Sequence, residues 1–346
     1  MPAFSAIFRQ WNFNLPIASL AVTANGEWIA AAMGDGSFRF LPANEDAKEP
    51  KELRVHDGVS LSLTPDADAH AFLSGGDDGR VFIIDPTLDA PTLLAEHKGK
   101  WIDHVAAAEG FRAYALGKEL HLLDDEGKEK LGTVQLASSA GGLAFSPNGK
   151  RLVASHYSGI SLFWTNAKEQ APVKLAWKGS HLGVIWHPEG KIVLTSLQEA
   201  ALHGWRLADM NEMQMQGYAA KIHSMSFTAR GKYLATSGAP QIICWPFFGG
   251  GPWSKTPLTL GGGEMRIVTR VAAHPKDDLV AAGYEDGMVI LAPLDGRMEM
   301  MIGLPSGSPV AGLVWNGSGD CLFAALENGS VMLFTIDSVK KAVSHA

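Results

Sequence analysis

The sequence predicts an all-β chain folded as a single β-propeller, and three observations carry that prediction. One phrase recurs eight times between Pro16 and Asp337: an apolar run, a turn often written Pro-x-Gly or x-Asn-Gly, a second apolar run, a small-residue or acidic turn, and a third apolar run. The eight starts, near Pro16, Gly58, Lys100, Ser138, Ser180, Ala220, Ile267 and Ser308, are spaced by 38 to 47 residues, the period of four-stranded blades rather than of paired-helix repeats. The apolar runs are also nearly continuous, so strands made from them need burial on both faces. Sheets stacked radially around an axis provide that, and one sheet alone does not. The repeat fills nearly all of the 346 residues, which predicts one domain over 1–346 with no room for a second module.

The unit from Ala140 shows the order of elements. GLAF is too short for a helix and reads as a strand; SPNG is a tight turn, RLVAS a second strand, HYSG a second turn, ISLFW a third strand and VKLAW a less regular fourth. The last unit ends at VMLFTID, and the SVKKAVSHA behind it is too polar for an outer strand. FSAIFRQWNF, residues 4–13, has instead the length and alternation of a strand.

Several positions share one further pattern. His56 precedes a unit; Asp35, Asp78 and Asp286 sit in turns between second and third strands (GDG, DDG, EDG); Trp164, Trp205 and Trp245 end third strands, followed by Thr, Arg and Pro; and the unit from Gly58 ends on Ile84-Asp85. This resembles the WD40 repeat, whose units place Gly-His before the first strand, Asp in that turn and Trp-Asp after the third strand. The resemblance covers nearly the whole chain with a degraded signature. It implies a ring closed by lending the N-terminal strand, residues 4–13, to the last blade, with repeats over 16–337 and a tail at 338–346. The count is eight four-stranded blades, or seven if the weakest unit, Trp101 to Asp125, is an elaboration. A His, Ser, Asp network is nearest to complete in His56, Ser74 and Asp78.

Composition excludes several classes. With 46% hydrophobic and 19% charged residues the chain folds. A net charge of −7, with no Lys/Arg block longer than two, opposes the counterion release that drives binding to DNA or RNA. MPAFSAIFRQWNFN lacks a basic region followed by a long apolar stretch, and nowhere do 18 apolar residues run together. Neither secretion nor membrane spanning is expected, and the cytoplasm is the expected compartment. Cys244 and Cys321 lie in strands of different units, so no disulfide framework or zinc motif can be drawn and both read as reduced core thiols.

Each feature that could carry chemistry has a plain alternative. GGGPWSKT, Gly249 to Thr256, approaches a phosphate-cradling loop but has Ser254 where the final Gly belongs and no helix behind it, so it reads as a glycine-rich connection. His187-Pro188 and His274-Pro275 read as polar turn residues, and the paired acids Asp77-Asp78 as solvated charge. The methionines of MNEMQMQ, with Met213 and Met215 on one strand face, read as adaptable packing. No Gly-x-Ser-x-Gly elbow or other nucleophile motif occurs.

The resulting expectation is a non-catalytic scaffold, a monomeric ring without cofactor, gripping a protein or peptide at one rim. The candidate partner-binding residues are Trp101, Asp103, Tyr157, Arg266, Arg270 and Tyr284, beside Lys98, Lys100 and Glu285, because aromatic and Arg side chains dominate interface energetics. The second expectation is a metal-homeostasis propeller whose rim binds zinc through His104, His156, His181 and His223, since imidazole suits that ion. A propeller enzyme is third, with no residue set to support it.

Overall fold

In the computed structural model, which describes residues 6–167, 171–261 and 266–337, the chain forms thirty β-strands and one short 3-10 turn, Phe248–Gly250. Hydrogen bonds group the strands into seven sheets, six of four strands and one of six. The first strands stand side by side around an axis. Ile17–Val22 packs on Ser60–Pro65, that on His104–Ala108, and that on Ala140–Phe145, which packs on Val173–Trp186. Ile185 of the last shares a cluster with Met225 and Phe227; Met225–Phe227 packs on Val268–Ala273, that on Val310–Trp315, and Val310–Trp315 returns to Ile17–Val22. The chain is thus a closed propeller, as the repeat requires.

Closure is made by the N-terminal strand. Ile7–Asn12 pairs antiparallel with Ser330–Thr335, with Ile7 opposite Phe334 and Trp11 opposite Val331. The strand covers an edge that would otherwise present a row of unpaired backbone groups. Of the expected strand 4–13, residues 4 and 5 lie outside the described residues, as does the tail 338–346.

Seven sheets stand where eight separate ones were expected, and the difference does not lie where the sequence suggested. The weak unit at Trp101 to Asp125 is no elaboration; it forms a regular sheet of His104–Ala108, Phe111–Leu116, Glu119–Asp124 and Val134–Gln135. The change falls at Ala140–Met215, where two strands of 14 residues, Arg151–Trp164 and Val173–Trp186, join two repeats into one sheet. The first half of Val173–Trp186 pairs with the end of Arg151–Trp164, Leu175 opposite Ile160. The second half pairs with Ile192–Leu197, Ile185 opposite Leu194. Lys178-Gly179-Ser180 therefore continues the strand where a connection between units was expected. The hairpin within Arg151–Trp164 is kept: Ser158 (φ 67) and Gly159 (φ 138) turn the chain, and the Thr165 N–H donates to the Lys150 carbonyl.

The core lies between sheets. Phe38, Phe40, Phe72 and Ile84 are wholly buried in one such layer, each worth roughly 1.5–3 kcal/mol relative to exposure. Met213 and Met215 are buried on one face of Asn211–Met215, as the packing reading expects. Cys244 and Cys321 are buried free thiols, and burial pushes both up to about 12.

Turns between first and second strands tie neighbouring units together. The Arg112 guanidinium makes two 2.7 Å hydrogen bonds to the Asp66 carboxylate. His187 and His274, read as polar turn residues, are buried at those turns, 6% and 4% exposed. Each donates from Nε2 to a carbonyl of the following unit, Gly231 at 3.0 Å and Gly319 at 2.8 Å. Asn316 does the same to the Ala43 carbonyl at 2.8 Å, joining the last unit to the first.

The network around His56 forms. Its Nδ1 lies 3.0 Å from Asp78 Oδ1 and its Nε2 2.9 Å from Ser74 Oγ, which in turn meets Ser60 Oγ. Asp78 is therefore a buried partner, not the solvated acid expected. Burial raises its pKa, but His56 and the N–H groups of Asp57 and Arg80 outweigh that and hold it below the ordinary value. Phe82, opposite Ser74 in register, stands edge-on to the His56 ring. In the phosphate-cradle look-alike, Lys255 Nζ donates to the Phe248 and Gly251 carbonyls, so that loop closes on its own lysine.

Candidate interaction rim

In a four-stranded antiparallel unit, the turn between second and third strands and the connection from fourth strand to next unit open on the same end of the sheet. Trp101 lies in such a connection. The Lys100 N–H bonds to the His97 carbonyl and the Ile102 N–H to that of Gly76; this draws Ile102 wholly into the core and turns its neighbour outward. Trp101 is 65% exposed. It lines an open groove of about 510 Å³ with Lys100, Asp103, Gly117, Glu119 and Gln135. Asp103 forms part of the floor: its carboxylate accepts the Gly117 N–H at 2.7 Å and fixes the opposing turn.

Tyr157, 62% exposed, sits at a hairpin tip held from three sides. Its N–H donates to Ser138 Oγ at 2.8 Å, and its carbonyl accepts from His156 Nδ1 at 2.9 Å. The other nitrogen of His156 meets Ser161 Oγ at 3.0 Å. Tyr157 lines a second groove, about 580 Å³, with Trp177, Glu199, Gln214, Gln216 and Tyr218. Ser139 lines the first groove and Ser138 holds Tyr157, so the two grooves adjoin along one rim. Together they offer aromatic area, amide groups and both signs of charge on short, pinned loops, the chemistry of a peptide-gripping surface.

The other expected partner residues do not join them. Tyr284 is 1% exposed and packed in the core with Val268, Val280 and Ile290. It has no access to a partner, because its strand position faces the neighbouring sheet. Arg270 donates to the Ala311 and Thr269 carbonyls at 2.7 and 3.0 Å, and burial lowers its pKa. Arg266 lies 2.8 Å from the Asp286 carboxylate. Arg270 lies in the unit from Ile267 and Arg266 just before it, and neither lines the grooves of Trp101 and Tyr157.

The histidines do not converge either. His156 and His181 are buried and spend both ring nitrogens inside the protein, His181 on the Thr195 hydroxyl at 2.7 Å and the Trp177 carbonyl at 3.1 Å. His104 is half-buried and His223 exposed. Burial is the leading cause holding His104 and His181 below the ordinary histidine value. Among the described residues no group of three or more His, Cys, Asp or Glu side chains is arranged to hold a metal. Of the four histidines, His156 and His181 thus have both ring nitrogens engaged by groups of the protein itself.

Sequence reasoning missed Trp177, Glu199 and Tyr218. A signal existed: Trp177 and Tyr218 stand 18 residues before the second-strand hydroxyls Thr195 and Thr236, as His56 stands 18 before Ser74. At that position Tyr218 bonds Thr236 Oγ1 and accepts from Trp245 Nε1, both at 2.7 Å, so the family-like network persists with different side chains. No helix among the described residues is long and apolar enough to cross a membrane. Residues 271–346 match the family model described as the anaphase-promoting complex subunit 4 WD40 domain. No curated protein matches the chain.

Proposed function

The chain is a WD40-type β-propeller, and from that premise we propose that it is a non-catalytic scaffold which grips a protein or peptide at the rim bearing Trp101 and Tyr157. The observation that carries this reading is the exposure of those two rings, 65% and 62%, on adjoining grooves whose backbones are pinned by hydrogen bonds. A closed ring uses its strand interiors for stability, so function falls to loops at the strand ends. Rigid aromatic anchors lose little conformational entropy on binding. The matched family model is named for a subunit of a complex, which supports an assembly role. The ring acts as a monomer, and the two buried thiols fit the reducing cytoplasm.

Replacing Trp101 by Ala is the direct test. Affinity for a partner captured on wild-type protein is expected to fall by about 2 kcal/mol, with melting temperature unchanged because the indole is exposed. A variant that binds fully places the partner elsewhere, and one that loses folding with binding makes Trp101 a packing residue.

A further inference from the structure

At the other end of the strands from Trp101, a groove of about 430 Å³ opens between the units from Ser180 and Ala220. Lys191, Arg206, Arg230 and Lys232 line it, together with Phe247 and Phe248. Glu189 pairs with Lys191 at 2.8 Å and Asp209 with Arg206 at 2.6 Å. Arg230 and Lys232 are exposed and have no ion-pair partner among the described residues. Phe248 is 49% exposed beside them.

We propose that this groove is a second docking surface, and that it takes an acidic peptide segment carrying an apolar side chain. Two unpaired cations in one cleft repel each other and add nothing to the fold, whereas carboxylates from a partner would neutralise both. They stand out on a chain whose net charge is −7. The apolar wall is built in advance. Phe247 packs edge-on against Phe227 and Phe248 against Tyr233, and Lys255 sits 4.4 Å from the Phe248 ring. Little ordering is left to be done on binding. Phe248 beside the cations asks for a ligand with alternating acidic and apolar groups, which a peptide has. The small cleft and negative chain disfavour a nucleic acid, whose binding needs many cations along a track.

The test is fluorescence polarisation with the labelled peptide Glu-Asp-Phe-Glu-Asp-Leu and its amide counterpart Gln-Asn-Phe-Gln-Asn-Leu. The acidic peptide is expected to bind, its amide counterpart to bind about tenfold more weakly or worse, and added salt to weaken the complex, the scale and sign of two exposed ion pairs. Arg230→Glu with Lys232→Glu is expected to lose at least the same factor, and Phe248→Ala to weaken binding also. Arg230→Gln with Lys232→Gln serves if the reversed charges disturb folding. Trp101→Ala is expected to leave this binding unchanged, which separates failure here from failure of the rim. Equal binding of both peptides, indifference to the charge changes, displacement by a single-stranded oligonucleotide at lower concentration, or self-association abolished by Arg230→Glu would each overturn the proposal.

Discussion

His203 is wholly buried, stacked 3.9 Å from the Trp177 ring and edge-on to Trp205. Neither of its ring nitrogens has a hydrogen-bond partner among the described residues. Burial, and then His181 beside it, hold its pKa at about 4. The ordinary histidine value is 6.5, so between those values the unfolded chain binds a proton that the folded chain refuses. Its contribution to stability is therefore complete above about pH 6.5, and falls as pH drops toward 4. His203→Phe keeps a ring on Trp177 and removes the titration. Thermal melts at neutral and mildly acidic pH should show a smaller acid-induced drop for this variant, by on the order of 2 kcal/mol. His56, His104 and His181, also held low by burial, leave a residual slope. An unchanged drop would mean that His203 accepts its proton within the fold.

Among the elements, the closing strand carries the most non-local weight. Ile7–Asn12 alternates half-buried and exposed residues and supplies the fourth strand of the sheet that holds Val310–Trp315, Cys321–Leu326 and Ser330–Thr335. The last strand is buried along its whole length, an apolar edge once its cover is gone. Deleting residues 1 to 13 should expose that edge and cause aggregation, read by light scattering during refolding. A soluble, cooperatively melting truncation would show that the C-terminal sheet is stable with three strands. The fused strand Val173–Trp186 is the opposite case, an element extended by continuity. Its Gly179 has φ 105, a backbone conformation that disfavours any side chain there.

At the scale of the whole molecule, units that cannot bury their own faces are held by their neighbours, and stability is close to a sum over interfaces. The Asp66–Arg112 pair is one such tie, with side chains 0% and 7% exposed. Asp66→Ala leaves a buried guanidinium without its carboxylate and should cost about 3 kcal/mol. Urea unfolding should show a lower midpoint with unchanged slope, because a closed ring has no free end from which to unfold piecemeal. A second transition, or a changed slope, would show that the ring opens at this interface before it melts.

The repeat of apolar runs and turns determined the fold class and the end of the ring on which Trp101 and Tyr157 lie, since both follow from local period and alternation; the N-terminal closure was implied by the WD40 resemblance, with the alternation of residues 4–13 fitting that role. The joined sheet was not legible: whether Lys178-Gly179-Ser180 leaves the ladder depends on hydrogen bonds to two other strands, Tyr157 opposite Ser180 and His181 opposite Leu197. Side-chain fate was likewise decided in three dimensions. Tyr284 and Trp101 are both aromatic residues next to turns, yet one is sealed by the neighbouring sheet and the other left in solvent. Of the histidines expected to gather on a metal, His156 and His181 have both ring nitrogens in hydrogen bonds inside the protein. Periodicity reports which face of a strand is buried, whereas the partner of a polar atom depends on chain distant in sequence, and only the closed ring brings that chain near.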